Sequence, residues 1–427
     1  MSDIPPTIEN SLDRTREAFL NGRSQDAIAG CRSALDAHDL MPEMRGKFYQ
    51  IYTDALLRCN LNQEAIAVAR TWLASADDAR GQALACVALA NGLHRVGELL
   101  EAARVLDDAH ALANRADERT LVGRVLRLRA DLLWTQGDDS EKAAFLLQQA
   151  LAIHEVPGDS EQQAYVLTSL SIVYDVMGRP SDAIRAGLRG VDLCLHSGDT
   201  YNLSILYNNL GEWYQRIFAM QTAREYHEKA LAIIGDASAI DLRRNLGVDL
   251  VALGETERGL GLLHEAVQMG ADGDRDELMQ ALLGLAEALY GLGRLAEARR
   301  YGGSLLRLAR EMNSERHLAR VSLLLGRVAD AEGDVALARR CLQDALTFAR
   351  KASDRHTLWQ AHAAVFERNV QTQPTFAAIN LSAALDVLES IAQAIDDPLL
   401  RQGFLEAAPV ARVLLLRDAP YIAAARS

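Results

Sequence analysis

Apolar residues recur along this chain at the spacing of a single helical face, in stretches interrupted about every forty residues by one short signal. A glycine or asparagine (Gly22, Asn60, Gly97, Gly178, Gly254, Gly293, Gly333) closes one stretch. A small residue five positions on (Ala27, Ala65, Ala102, Ala183, Gly259, Ala298, Ala338) lies at the start of the next. Gly and Asn tolerate the left-handed backbone that ends a helix, so each signal reads as helix, left-handed cap, helix. Ala143 and Ala223 mark the same point in two further units. About seven positions later a second small residue follows (Ala34, Ala109, Ala150, Gly190, Ala230, Ala266, Ala345). Helices approach closely only where side chains are small, so these positions mark the contact stripe of each helical pair. Sustained period-two runs of Val, Ile and Thr are absent. Self-similarity at this period predicts an all-α fold, a solenoid of antiparallel helix pairs in which each unit packs on its neighbours.

The departures from the pattern are as local as the pattern itself. Phe218 stands where the sixth unit calls for a glycine, which predicts a different turn there. The fourth unit carries an extra residue in Gly137-Asp138-Asp139-Ser140-Glu141-Lys142-Ala143. The run Val156-Pro157-Gly158-Asp159-Ser160 predicts a loop, with a slight bend near 155–162. Gly302-Gly303 falls inside a predicted second helix; tight helix contact accounts for the doublet better than a kink at a ligand site. Beyond residue 366 the repeat fades. Gln371-Thr372-Gln373-Pro374 breaks a helix, a long helix follows from Ala377 to about Ile395, and Asp396-Asp397-Pro398 breaks the chain again. The expected organisation is therefore an array of about nine hairpins over 1–366 and a degenerate repeat with C-terminal capping helices over 367–427.

The first helices carry their own motif. Leu210-Gly211-x-x-Tyr214 has related forms in Leu170-Ser171-x-x-Tyr174, Leu246-Gly247-x-x-Leu250, Leu285-Ala286-x-x-Leu289 and Leu325-Gly326-x-x-Ala329. In this order, Leu-Gly-x-x-Tyr, then Gly, then Ala, the chain resembles the tetratricopeptide repeat family over roughly residues 8–350. Its longer period is similar to that of kinesin light chains and of the sensor arms of bacterial ATPase regulators. Asp397-Pro398-x-x-Arg401-x-x-Phe404-Leu405 also resembles the closing segment of such arms, with no ATPase or cyclase domain beside it. The resemblance implies a right-handed superhelix whose first helices line an inner groove.

Carried over unit by unit, the motif nominates groove residues. They are Arg127, Asp131 and Trp134 in the fourth unit, and Tyr165, Thr168 and Asp175 in the fifth. The sixth supplies Asn208, Asn209, Glu212 and Gln215, and the seventh Arg244 and Asn245. Glu287 and Tyr290 follow in the eighth unit, and Arg320, Arg327 and Asp330 in the ninth. Asn209 and Asn245 share the slot before Leu-Gly. An amide both donates and accepts, so the pair suits the backbone of an extended peptide of any sequence. The run Leu206-Tyr207-Asn208-Asn209-Leu210 is similar to the peptide-gripping helix of kinesin-light-chain repeats. The arginines suit acidic side chains or a terminal carboxylate.

Charge and composition narrow the partners. The net charge of −13 argues against a general affinity for nucleic acid or anionic membranes. No stretch reads as long and uncharged enough to span a bilayer. Five scattered cysteines (Cys31, Cys59, Cys86, Cys194, Cys341) form no CxxC pair, and the N-terminus has no apolar signal core. Both features point to reduced thiols in a cytoplasmic protein. The ten histidines make no zinc spacing, and there is no phosphate-cradling loop or nucleophile elbow. No cofactor, metal or catalysis is expected. The expectation is a scaffold or adaptor that holds a peptide or helix of a partner protein in its groove. The alternative is a regulatory sensor arm whose superhelix binds a small molecule or peptide and controls a partner ATPase, kinase or nucleotide cyclase. Self-association, where it occurs, is expected through the C-terminal helices.

Overall fold

A computed structural model describes residues 8–36, 40–136, 139–155, 159–234, 240–271 and 275–417. Those residues form helices and connecting turns, with no strand among them. The left-handed residues fall where the repeat signal places them. Gly22, Gly97, Gly178, Gly254, Gly293 and Gly333 have φ between 70° and 90°, and Asn60 has φ 57°. The small residues that follow (Ala27, Ala65, Ala102, Ala143, Ala183, Ala223, Ala298, Ala338) are wholly buried, as a helix-contact stripe requires. Gly137 and Asp138, at the start of the stretch that carries the extra residue, and the loop centre at Val156-Pro157-Gly158 lie outside the described residues.

By contacts the chain divides into two compact units, 1–177 with 182–206, and 178–181 with 207–427. The first unit is built from α1 (Ile8–Leu20), α2 (Ser24–Leu35), α3 (Pro42–Arg58), α4 (Asn62–Ser75), α5 (Ala79–Arg95), α6 (Leu99–Arg115), α7 (Arg119–Gln136), α8 (Ser140–His154), α9 (Ser160–Val176) and most of α10 (Pro180–Ser197). Its boundary with the second falls within α11 (Thr200–Arg216). Contacts between distant parts of the sequence close this unit on itself. Thr200 Oγ1 donates to the Leu20 carbonyl at 3.0 Å, Arg16 pairs with Glu161 at 3.2 Å, and Arg58 on α3 reaches Tyr165 on α9.

The second unit continues with α12 (Met220–Ile234), α13 (Ile240–Ala252), α14 (Thr256–Ala271), α15 (Arg275–Gly291), α16 (Leu295–Glu311), α17 (Glu315–Ala331), α18 (Val335–Lys351), α19 (Arg355–Asn369) and α20 (Pro374–Gln393). Two short helices, α21 (Pro398–Glu406) and α22 (Ala408–Leu414), complete it. Asp397 caps α21 by accepting from the amides of Leu399 and Leu400. The Asp396 amide donates to Ser181 Oγ at 2.7 Å, so this unit too joins residues far apart in sequence.

Two expectations change. The turn at Phe218 does not differ from its glycine counterparts: Phe218 adopts φ 61° and repeats their hydrogen bonds, its amide to Gln215 and that of Ala219 to Tyr214. A left-handed phenylalanine is strained, and its ring gains a compensating stack on Phe404, 6.1 Å between centroids. Second, α20 is long and apolar enough to cross a membrane by length and composition, against the expectation from the sequence. Its Leu381, Leu385, Leu388 and Ile391 are buried in the second unit. Helix contact accounts for one glycine of the doublet: α16 runs unbroken and a Cβ on Gly302 would sit 3.0 Å from Leu325, whereas a Cβ on Gly303 would meet nothing within 4 Å.

Candidate binding clefts on the first helices

Each unit encloses a cleft, and the odd-numbered helices, the first of each pair, supply its walls. In the first unit a cleft of about 480 Å³ is lined from α1, α3, α5, α7, α9 and α11. In the second, a cleft of about 470 Å³ is lined from α11, α13, α15, α17 and α19, with Phe218 from a turn and Met220 from the start of α12. The lining follows a rule of register. Counting back from the left-handed residue, many of the lining side chains stand six, ten or thirteen positions earlier; Asn208 and Arg327 are exceptions, holding such positions without lining a cleft. Asp54, Asn91, Ile172, Glu212, Val248 and Glu287 stand at six, and Gln50, Val87, Thr168 and Arg244 at ten. Leu84, Tyr165, Ile205, Asp241, Gln280 and Arg320 stand at thirteen. Spacings of three and four keep them on one helical face.

The structure brings Arg127, Asp131, Trp134, Tyr165 and Thr168 together in the first cleft. Arg127 pairs with Asp131 at 2.9 Å, and Thr168 Oγ1 donates to the Ala164 carbonyl and reaches Asn202. The indole N–H of Trp134 is enclosed without an acceptor. Tyr165 accepts from Arg58 at 2.9 Å, and burial pushes its phenol well above the ordinary range. Arg58 is the centre of this wall. Its guanidinium lies between the rings of Phe19 (3.6 Å) and Tyr201 (4.1 Å), donates to the Phe19 carbonyl and pairs with buried Asp199 at 3.5 Å. Sequence reasoning missed Gln50, Asp54, Asn91, Arg124 and Gln162, which line the same cleft. Gln50, Asn91 and Gln162 make no side-chain hydrogen bond among the described residues. Burial in the cleft pushes the Asp54 carboxyl up to about 6.

Glu212, Gln215, Arg244, Asn245, Glu287 and Arg320 line the second cleft, where internal pairing dominates. Arg244 pairs with Glu212 at 3.1 Å and with Asp241 at 3.3 Å; Arg320 pairs with Asp354. Burial alone would raise the Glu212 carboxyl, but Arg244, Arg216 and the Asn245 amide outweigh it and hold it at about 2. Asn245 is 2% exposed, and its amide donates to Asn208 (2.8 Å) and Glu212 (2.9 Å). Gln215 donates to the Asn245 carbonyl and to Asp249, which meets the buried His227 ring at 2.6 Å. Gly211 makes room for that ring, since a Cβ there would collide with it. The Asn245 amide is thus engaged inside the protein, and half-buried Asn209 keeps an enclosed Nδ2 without an acceptor. Asn208, Asn209, Tyr290 and Arg327 are not part of the cleft lining; Tyr290 packs against the core formed by α13 to α17.

A tetratricopeptide repeat model matches residues 205–235. No curated protein matches the chain in sequence. Among solved structures, a Rap protein complexed with Competence and Sporulation Factor aligns over 91% of this chain and 99% of its own, at 12% identity and TM-score 0.58. The apo quorum sensor NprR from B. thuringiensis aligns over 80% and 98%, at 14% identity and TM-score 0.54. The Rap conjugation gene regulator of plasmid pLS20, in complex with the Phr* peptide, aligns over 92% and 97%, at 14% identity and TM-score 0.52. The fold is that of a tetratricopeptide-type helical repeat protein.

Proposed function

We propose that the chain is a non-catalytic interaction protein that holds an extended peptide along the inner faces of its first helices. The observation that carries this reading is the uncommitted amides of Gln50, Asn91 and Gln162 on α3, α5 and α9, converging on one cleft beside Trp134. Side-chain amides offer a donor and an acceptor each, which is what a peptide backbone requires irrespective of its sequence. Two structurally similar proteins support the reading by what they hold: one is complexed with Competence and Sporulation Factor and another with the Phr* peptide. The separate, buried thiols of Cys31, Cys86 and Cys194, pushed up by burial to about 11 or 12, suit a reducing compartment such as the cytoplasm.

The closure of the first unit favours a regulatory form of the same function. Its ends meet through a few polar contacts, so a ligand seated between them can bias the closed arrangement. The test is a peptide array probed with the full-length chain, followed by titration of the best binder. Asn91→Ala combined with Gln162→Ala is expected to weaken that binder about tenfold with an unchanged circular dichroism spectrum. A blank array, or a binder indifferent to both substitutions, overturns the assignment.

A further inference from the structure

The first cleft holds two opposite charges that the protein leaves without a contact. Arg124 on α7 makes no hydrogen bond or ion pair among the described residues, and neither does the carboxylate of Asp54 on α3. Each is the leading opposite charge felt by the other, yet they do not close to ion-pair distance. Their neighbours are different. Arg58 is matched by Asp199, and Arg127 by Asp131. An unmatched ion in a concave, partly dehydrated site weighs against stability, so a pair of them facing a cavity marks a place where function outweighs packing.

A guanidinium and a carboxylate held apart are complementary to a ligand that carries both opposite charges. The planar fork of Arg124 suits a carboxylate, and Asp54 suits an ammonium. The Trp134 N–H and the Asn91 amide lie in the same cleft and can serve the atoms joining the two charges. We infer that the first cleft takes a ligand carrying both an ammonium and a carboxylate, with Arg124 on the carboxylate and Asp54 on the ammonium. A free amino acid or a short peptide with free ends supplies this chemistry. So does a lysine beside a glutamate within a protein segment. The inference rests on the reading of this cleft as a binding surface and narrows what it binds.

Calorimetric and thermal-shift titrations of the full-length chain test it with four probes. These are a mixture of free amino acids, a random tripeptide pool with free ends, the same pool acetylated and amidated, and a blocked pool containing adjacent Lys and Glu. A free-ended probe is expected to bind at least about tenfold more tightly than the blocked random pool. Arg124→Gln and Asp54→Asn should each erase that preference, and Arg124→Lys should restore part of it. Binding of the blocked Lys-Glu pool with the same dependence on Arg124 and Asp54 also upholds the charge assignment, with a protein segment as the source. Equal binding of free and blocked random pools, or binding that survives both substitutions, overturns the inference and leaves the peptide reading standing. Silence from all four probes overturns it as well, whereas the peptide reading falls only with a blank or insensitive array.

Discussion

Asp54 sits half-buried on α3 with no cation in contact, and its carboxyl releases its proton near pH 6 in the folded chain instead of at the ordinary 3.8. Between those two values the folded state holds a proton that the unfolded state has lost. Stability therefore falls as pH rises through this window, and the loss is complete above it. Asp54→Asn removes the charge. It should raise stability near neutral pH by on the order of 1 kcal/mol and change nothing below about pH 4, as measured by denaturant titrations across that range. An unaltered stability at neutral pH would mean that the carboxylate is already compensated. His356 on α19 works in the opposite sense: burial lowers its imidazole to about 4, so its neutral form is favoured in the fold and stability is lost as pH falls from about 6.5. The two windows overlap, so the pH profile should be read in Asp54→Asn and His356→Gln separately. Asp54 and Arg124 were legible only as ordinary charges, because a sequence does not say which ions lack a partner. The slot of Asp54 was legible in principle, since it stands six positions before left-handed Asn60, as Asn91 does before Gly97 and Ile172 before Gly178.

The turn between paired helices shows what a repeat signal encodes and where it fails. Seven of the left-handed positions could be named from Gly and Asn, because those residues adopt positive φ at little cost. Phe218 could not, because its conformation is fixed by a contact with Phe404, almost two hundred residues away. Asp117, Gly198, Asn313 and Ser353 are also left-handed, between successive pairs, where no recurrent glycine marks the turn. Gly254 and Phe218 allow the two causes to be separated. Nothing lies within 4 Å of a Cβ built on Gly254, so Gly254→Ala reports the backbone term alone, a loss of about 1 kcal/mol. Phe218→Gly relieves that same strain but deletes the stack and part of the cleft wall. The expected net outcome is still a loss, of about 1 kcal/mol, because a packed aromatic ring outweighs one strained residue. A gain in stability for Phe218→Gly in chemical denaturation would show that the stack contributes little.

Solenoids gain stability from neighbour to neighbour, and the first unit adds contacts that skip whole repeats. Arg58 concentrates them. It stacks between Phe19 and Tyr201, donates to Tyr165 and balances Asp199, whose Oδ2 is buried without a hydrogen bond. Removing the guanidinium leaves that carboxylate without its buried cation, with only the Asn202 backbone amide still donating to it among the described residues, a change of about 3–5 kcal/mol in comparable buried pairs. Arg58→Lys keeps the charge but not the planar face between two rings, so it should recover only part of the loss. Because the unit is joined at both ends through this residue, the effect should spread along it. Hydrogen exchange is expected to quicken in α1, α3, α9 and the first turn of α11 of Arg58→Ala, while α13 to α19 keep the protection they have in the parent chain. Loss confined to α3 would reduce Arg58 to a local packing residue. Equal loss in both units would mean that they unfold together, and that the division seen in their contacts has no counterpart in their stability.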